Sequence, residues 1–281
     1  MPRCTISTAI AFIVAAAFAC VAPAAEQDFR EVESERAWRE DIQPGAFGDR
    51  ALNEDAEQRI VQIKAPYRAE DGSIVPISIH TDAAAAGSAI RRIHVFVDKN
   101  PLPAVGVFDF LSPEGRADIA LRIRVDDFSF VRAIAETGDG RLYMAKSFVR
   151  SLGGCSAPPP NSIEESLAQM GLIRFKPVGE WTPGRPSLAQ FQIRHPNITG
   201  LQPMRIGSRV LPPPYFIREV RVTYDGQPIL AAQLTFAVSQ DPSFRFFFVP
   251  NASGRLRIEA VDTKDRKYEF EEAIAAPAAA S

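Results

Sequence analysis

The sequence predicts an all-β chain built as two antiparallel β-sandwiches, and three observations predict it. Apolar and polar residues alternate at period two in many short runs, the pattern of half-buried strands. The runs fall into two blocks, residues 60–152 and 171–272, of about seven strands each, with Asp-Gly turn signals inside the blocks and a glycine- and proline-rich stretch between them. Of the 281 residues, 46% are hydrophobic and 23% charged, a composition that supports packed cores and excludes disorder as the default state.

The chain begins with Met1 to Arg3, an apolar run from Ala9 to Val21, and Ala22-Pro23-Ala24. That arrangement predicts a secretory signal over 1–24, cleaved after Ala24. Ala17-Phe18-Ala19 makes a poor lipobox, which disfavours lipid anchoring at Cys20. The apolar run is short for a membrane span, and no later stretch is long and apolar enough to serve as one. Loss of 1–24 removes one cation and no acid, moving the formal balance from -2 to -3. This balance supplies no electrostatic drive toward nucleic acid. The predicted compartment is the periplasm.

Residues 25–59 are polar, with Phe29, Val32, Trp38 and Ile42 as spaced apolar anchors, and predict a short helical lead-in. In the first block, Val75 to Ile79, Ile93 to Val97 and Ile119 to Val125 read as strands. In the last of these, Ile119, Leu121, Ile123 and Val125 share one face while Arg122 and Arg124 share the other. Asp71-Gly72 and Asp139-Gly140 predict turns that need positive φ. A final strand from Leu142 to Leu152 runs straight into Gly153.

Leu152-Gly153-Gly154-Cys155-Ser156-Ala157 carries the one cysteine left after Cys4 and Cys20 depart with the signal, so no internal disulfide can form. An exported, unpaired thiol calls for a function. Gly153 and Gly154 give the backbone wide freedom, and Pro158 to Pro160 favour an extended continuation. The stretch 153–170 therefore predicts an exposed arm and linker, with Cys155 at the tip. A buried cysteine packed as a small hydrophobe is the bland alternative. Within the linker, Ser162 and Glu165 have capping-box spacing, and Ile163, Leu167 and Met170 fall on one face of a short helix.

The second block repeats the alternation at Phe191 to Ile193, Val220 to Tyr224, Phe244 to Phe246 and Leu256 to Ile258, with a hairpin at Asp225-Gly226. The phenylalanines of 244–248 are expected in the core. The tail from Ala273 to Ser281 is expected to be disordered. Two immunoglobulin-like sandwiches joined by a Gly-Gly-Cys loop and a proline-rich linker are the expected architecture.

The segment Val95 to Pro103, the strand Ile119 to Val125 and the exit into Gly153-Gly154-Cys155 resemble SoxY, the sulfur-carrying subunit of bacterial periplasmic sulfur oxidation. Ile193-Arg194-His195-Pro196-Asn197-Ile198-Thr199-Gly200 and the hairpin Tyr215 to Gly226 resemble its partner subunit SoxZ. The likeness spans nearly all of 60–270, that of a fused SoxYZ-like protein of the type associated with quinoprotein (pyrroloquinoline quinone) alcohol dehydrogenases. The resemblance implies a carrier rather than an enzyme. Cys155 matches the residue that holds a sulfur species, thiosulfate-derived or persulfide, and Gly153 and Gly154 match its flexible lead. No catalytic residue, metal site or cofactor is implied beyond a covalent sulfur adduct on Cys155. The family arm ends its subunit as Gly-Gly-Cys-Gly-Gly, whereas here Ser156 and Ala157 follow and the chain continues, tethering the loop at both ends.

Three rival readings compete with this one. A cysteine hydrolase needs a histidine beside Cys155, and His80, His94 and His195 read as strand or turn residues. A cupredoxin needs ligands clustered after the cysteine, and neither His nor Met occurs there before Met170. A non-covalent docking or assembly module for a periplasmic quinoprotein alcohol dehydrogenase differs from a carrier in tolerating Cys155→Ser. Expected partners are redox or sulfur-processing enzymes of the periplasm.

Overall fold

A computed structural model describes residues 28–112, 116–157, 163–203, 210–251 and 253–275. The predicted signal peptide, Pro158 to Ser162 with its capping serine, and residues 276–281 lie outside them. Among the described residues no helix is long and apolar enough to cross a membrane.

The lead-in forms α1 (Phe29–Ala37), a π-helical turn (Trp38–Ile42) and α2 (Gln43–Phe47). Asp28 caps α1 by accepting the Arg30 N–H. The strands follow as β1 (Leu52–Glu54), β2 (Val61–Lys64) and β3 (Val75–Thr81), the short α3 (Ala83–Ala86), then β4 (Ile90–Val97), β5 (Ala104–Phe110), β6 (Ile119–Ile123), β7 (Ser129–Thr137) and β8 (Leu142–Val149). After the cysteine come α4 (Ile163–Ala168), β9 (Ile173–Pro177), β10 (Ser187–Ile193), β11 (Ile217–Tyr224), β12 (Gln227–Leu234), β13 (Ser243–Phe248), β14 (Ser253–Asp262) and β15 (Lys267–Ala275).

The chain is all-β and immunoglobulin-like, two sandwich units whose sheets join edge to edge. One sheet runs β1-β8-β7-β4-β5-β12-β11-β14-β15 and the other β2-β3-β6-β13-β10-β9. The units meet where β12 pairs with β5 and β13 with β6. Gly106 sits at this seam because a Cβ there would come within 2.8 Å of the Gln233 carbonyl. A single apolar cluster runs through both units, with Phe108 of the first against Phe244 of the second. Pairing is antiparallel except for β1 with β8.

Alternation predicts the inward residues well: Phe244, Phe246 and Phe248 are at most 1% exposed. Asp225 and Gly226 both take positive φ in the β11–β12 hairpin, and Gly140 does in its turn. Several expectations need correction. Gly72 does not adopt positive φ; it is small because a Cβ there would meet Ser151 Oγ at 2.5 Å and the Val125 carbonyl at 2.7 Å. The strand predicted to Leu152 ends at Val149, and the predicted tail begins within β15, which continues to Ala275. Phe29 and Val32 are exposed, whereas Trp38 is buried.

Trp38 anchors the lead-in. Arg132 of β7 stacks on its ring and makes a buried ion pair with Asp98 at 2.8 Å. Ser34 donates to Asp98 and accepts the Phe130 N–H. These contacts lay the helices on the outer side of the nine-stranded sheet. Among the described residues no helix packs on the strands of the other sheet.

Candidate functional site: the buried cysteine turn

After β8 the chain folds into a compact turn instead of projecting. The Ser156 and Ala157 N–H groups both donate to the Gly153 carbonyl, at 3.2 and 2.7 Å, and Gly153 has φ +69. Gly154 lies flat on the turn before β3, where a Cβ would come within 2.2 Å of the Gly72 carbonyl and 2.5 Å of that of Val125. Backbone atoms cannot yield to such an approach, so the second glycine serves packing. Cys155 is 0% exposed. The expectation of an exposed, flexible arm is thereby corrected: in this conformation the Gly153-Gly154-Cys155 turn is docked and its thiol covered.

Five hydrogen bonds hold the turn. The Cys155 N–H donates to Asp126 Oδ1 at 2.8 Å, and the Gly153 N–H to the Asp126 carbonyl at 2.6 Å. Arg124 Nη1 donates to the Gly154 carbonyl at 3.0 Å. From the second unit, Thr199 Oγ1 donates to the Cys155 carbonyl at 2.6 Å and Gln202 Nε2 to the Ala157 carbonyl at 2.8 Å. The site is therefore built from both halves of the chain.

Period-two reading places Arg124 outward, yet it is 0% exposed. The alternation fails because β6 ends at Ile123, whose neighbour in an isolated bridge is Val238. From there the Arg124 N–H donates to the Ala237 carbonyl at 2.7 Å, and the side chain turns inward to reach Gly154 and, at 3.3 Å, the Asn197 carbonyl. Its Nε has no hydrogen-bond partner. Burial pulls this guanidinium down to about 10, against the opposing pull of Cys155 and Asp71.

The segment 195–202 that presents Thr199 and Gln202 is itself braced. Asn197 takes φ +42, a left-handed conformation that asparagine tolerates. Its Oδ1 accepts the Ile217 N–H and its Nδ2 donates to the Val238 carbonyl. His195 is fully buried, with Nδ1 2.9 Å from Asn197 Oδ1 and Nε2 3.7 Å from the Asp262 carboxylate. Burial holds that imidazole down to about 4, so it is neutral. Ile198 exchanges two backbone hydrogen bonds with Tyr215. Nothing in the local sequence marks Thr199, Gln202 or Asp126 as neighbours of Cys155.

The remaining histidines are engaged elsewhere: His80 with Asp118 and His94 with Glu136, each at 3.2 Å. Burial, followed by the nearby Asp126 carboxylate, pushes the Cys155 thiol up to about 12, with Arg124 opposing. Against its reference value of 9.0, the docked thiolate population at neutral pH is smaller by about a thousandfold. In this conformation the thiol is covered and, at neutral pH, protonated, the state in which a thiol is a poor nucleophile.

Residues 45–155 match the family model of sulfur oxidation protein SoxY, and residues 175–273 that of sulphur oxidation protein SoxZ. The first match ends on Cys155 itself. No curated protein matches the chain. Among solved structures, superoxide reductase (neelaredoxin) from Ignicoccus hospitalis is 16% identical over 32% of this chain and 79% of its own, with a TM-score of 0.28. A β-glycosidase from Bacteroides vulgatus is 10% identical over 76% of this chain and 24% of its own, with a TM-score of 0.23. Similarity that low carries no argument about activity.

Proposed function

Because the chain belongs to the SoxYZ-like proteins, with a SoxY domain and a SoxZ domain fused in one polypeptide, we propose that it is a periplasmic covalent carrier. It holds a sulfur species on Cys155 and presents it to partner enzymes. The observation that carries this reading is a thiol at the end of the SoxY match, the one cysteine among the described residues, held by a turn that both domains grip with a few breakable hydrogen bonds.

The arrangement supports a cycle with two positions. Docked, the protonated thiol is shielded from the oxidants of an exporting compartment. Undocked, it regains an ordinary thiol pKa, near 8.5 in free peptides, and becomes a modest nucleophile. The Cys155 thiolate then attacks the outer sulfur of a donor persulfide R–S–SH; a new S–S bond forms at Cys155, the donor's S–S bond breaks, and the donor leaves as its thiolate. Transfer onward reverses the roles. No catalytic base is required on the carrier, since the enzymes it visits would supply one. The tether through Ser156 and Ala157 restricts how deeply the loop can enter a partner, which favours enzymes with shallow thiol-accepting sites. A periplasmic quinoprotein alcohol dehydrogenase system is the setting we propose for those partners.

Intact-protein mass spectrometry of the protein purified from its native periplasm without reductant tests this reading. Added sulfur atoms or a thiosulfonate on the native chain, absent from Cys155→Ser, are the expected result. A thiol that stays unmodified when sulfur donors and native extract are supplied sinks the carrier reading.

A further inference from the structure

The two sheets differ in charge. Six of the nine strands of the nine-stranded sheet carry an Asp or Glu, and several of its arginines pair with them, as Arg92 does with Asp109 at 2.5 Å and Arg257 with Glu259 at 3.0 Å. The six strands of the other sheet, VQIK, VPISIHT, IALRI, SFRFFF, SLAQFQI and IRFKP, contain no Asp or Glu at all. They carry Lys64, Arg122, Arg245, Arg174 and Lys176, and none of the five has an ion-pair partner among the described residues.

Register collects these cations on one surface. Lys64 stands beside Ser78, Ser78 beside Ala120, Ala120 beside Arg245, Arg245 beside Gln190, and Gln190 beside Lys176, a single row across all six strands. Arg122 and Arg174 lie in the next row, beside Pro76 and Gln192 respectively. All point away from the core, because their sequence neighbours fill it. At strand spacing the row spans roughly 25 Å. A cleft lined by Arg122, Arg245, Gln190, Gln192 and Ser243 marks its middle, on the seam between the two units. In a chain of formal net charge -2, five cations on strands without acids, of which only Arg122 has a carboxylate, that of Asp241, acting on it, form a local field able to select and steer a partner.

We propose that the outer face of the six-stranded sheet is a docking surface for an acidic face of a partner protein. The absence of carboxylates from its six strands favours an anionic occupant, and the flat face spread across both units favours a protein surface over a small ion, which needs cations converging on one point. The face also begins beside the site: Arg122 is two residues from Arg124, which holds the Gly154 carbonyl. A protein seated there therefore overlooks the edge of the docked turn. Identification of that partner as the enzyme that handles Cys155 rests on the carrier reading; the electrostatic docking does not.

The test is fluorescence anisotropy of the full chain with a fluorescein-labelled octaglutamate peptide at 20 and 200 mM NaCl. Binding at low salt that weakens at least fivefold at high salt is expected. Arg245→Glu combined with Lys176→Glu, both on exposed side chains, is expected to weaken it at least tenfold. Arg221→Glu on the other sheet and Cys155→Ser are expected to leave it within twofold. Failure of the peptide to bind, or equal binding by the double variant, overturns the proposal. So does tighter binding to a 20-base-pair DNA duplex or to phosphatidylcholine vesicles containing phosphatidylglycerol. A carrier reading lost in the mass-spectrometric test leaves this result standing, so the two failures are distinguishable.

Discussion

Thr199→Val isolates the grip of the second domain on the cysteine turn. Thr199 Oγ1 donates to the buried Cys155 carbonyl at 2.6 Å, and valine keeps the shape while removing the donor. The carbonyl is then buried without that bond in the docked state and solvated in the undocked one, a penalty of about 1–3 kcal/mol. Since 1.4 kcal/mol is tenfold in an equilibrium, the undocked population should rise by roughly 5- to 150-fold. The hydroxyl also accepts the Leu201 N–H at 3.1 Å, and its loss loosens the segment in the same direction. The assay is the rate of Cys155 alkylation by iodoacetamide at pH 7.5, under conditions where reclosing outruns reaction so that the rate reports the opening equilibrium. Thr199→Ser, which retains the donor, should react at nearly the native rate. Repeating the assay at low urea separates local opening, which depends little on denaturant, from global unfolding, which depends steeply on it. A Thr199→Val protein of native stability whose alkylation rate is unchanged would refute the claim that this bond controls the thiol.

Three further outcomes follow from the same geometry. Because docking raises the thiol pKa to about 12, docking is fully favoured below the undocked pKa and is progressively lost as pH rises toward the docked one. Alkylation should climb about tenfold per pH unit through pH 10, where a freely exposed thiol levels off near pH 9; a plateau at 9 in stopped-flow alkylation counts against a buried ground state. Gly154→Ala places a Cβ within 2.2 Å of the Gly72 carbonyl, so it should undock the turn and raise alkylation more than tenfold with the circular dichroism spectrum unchanged. Asp98→Ala removes the nearer and fully buried ion-pair partner of Arg132. It should cost about 3–5 kcal/mol in urea unfolding, and a loss under 1 kcal/mol would show that Glu35, 3.2 Å from the same guanidinium, suffices.

The sequence by itself determined the all-β class, the positions of most strands, the Asp225-Gly226 hairpin and the buried phenylalanines of β13. Each of these follows from a rule that operates within a few residues: alternation of faces along a strand, or the tolerance of Asp-Gly for positive φ. It also singled out Cys155 and the family likeness, because a lone cysteine after two glycines is a local signal. Only the tertiary structure decided what surrounds that cysteine. Thr199 lies 44 residues further along the chain, and Arg124 leaves the alternating pattern as soon as β6 ends, drawn inward by carbonyls of both domains. Gly72 and Gly154 look like freedom in the sequence, yet each is small because another piece of backbone lies against it. Likewise the seam between β5 and β12, and the row of cations across the six-stranded sheet, exist only through pairings between distant strands. Local chemistry sets the period of a strand; which strands become neighbours, and which thiol they cover, is settled by packing across the whole fold.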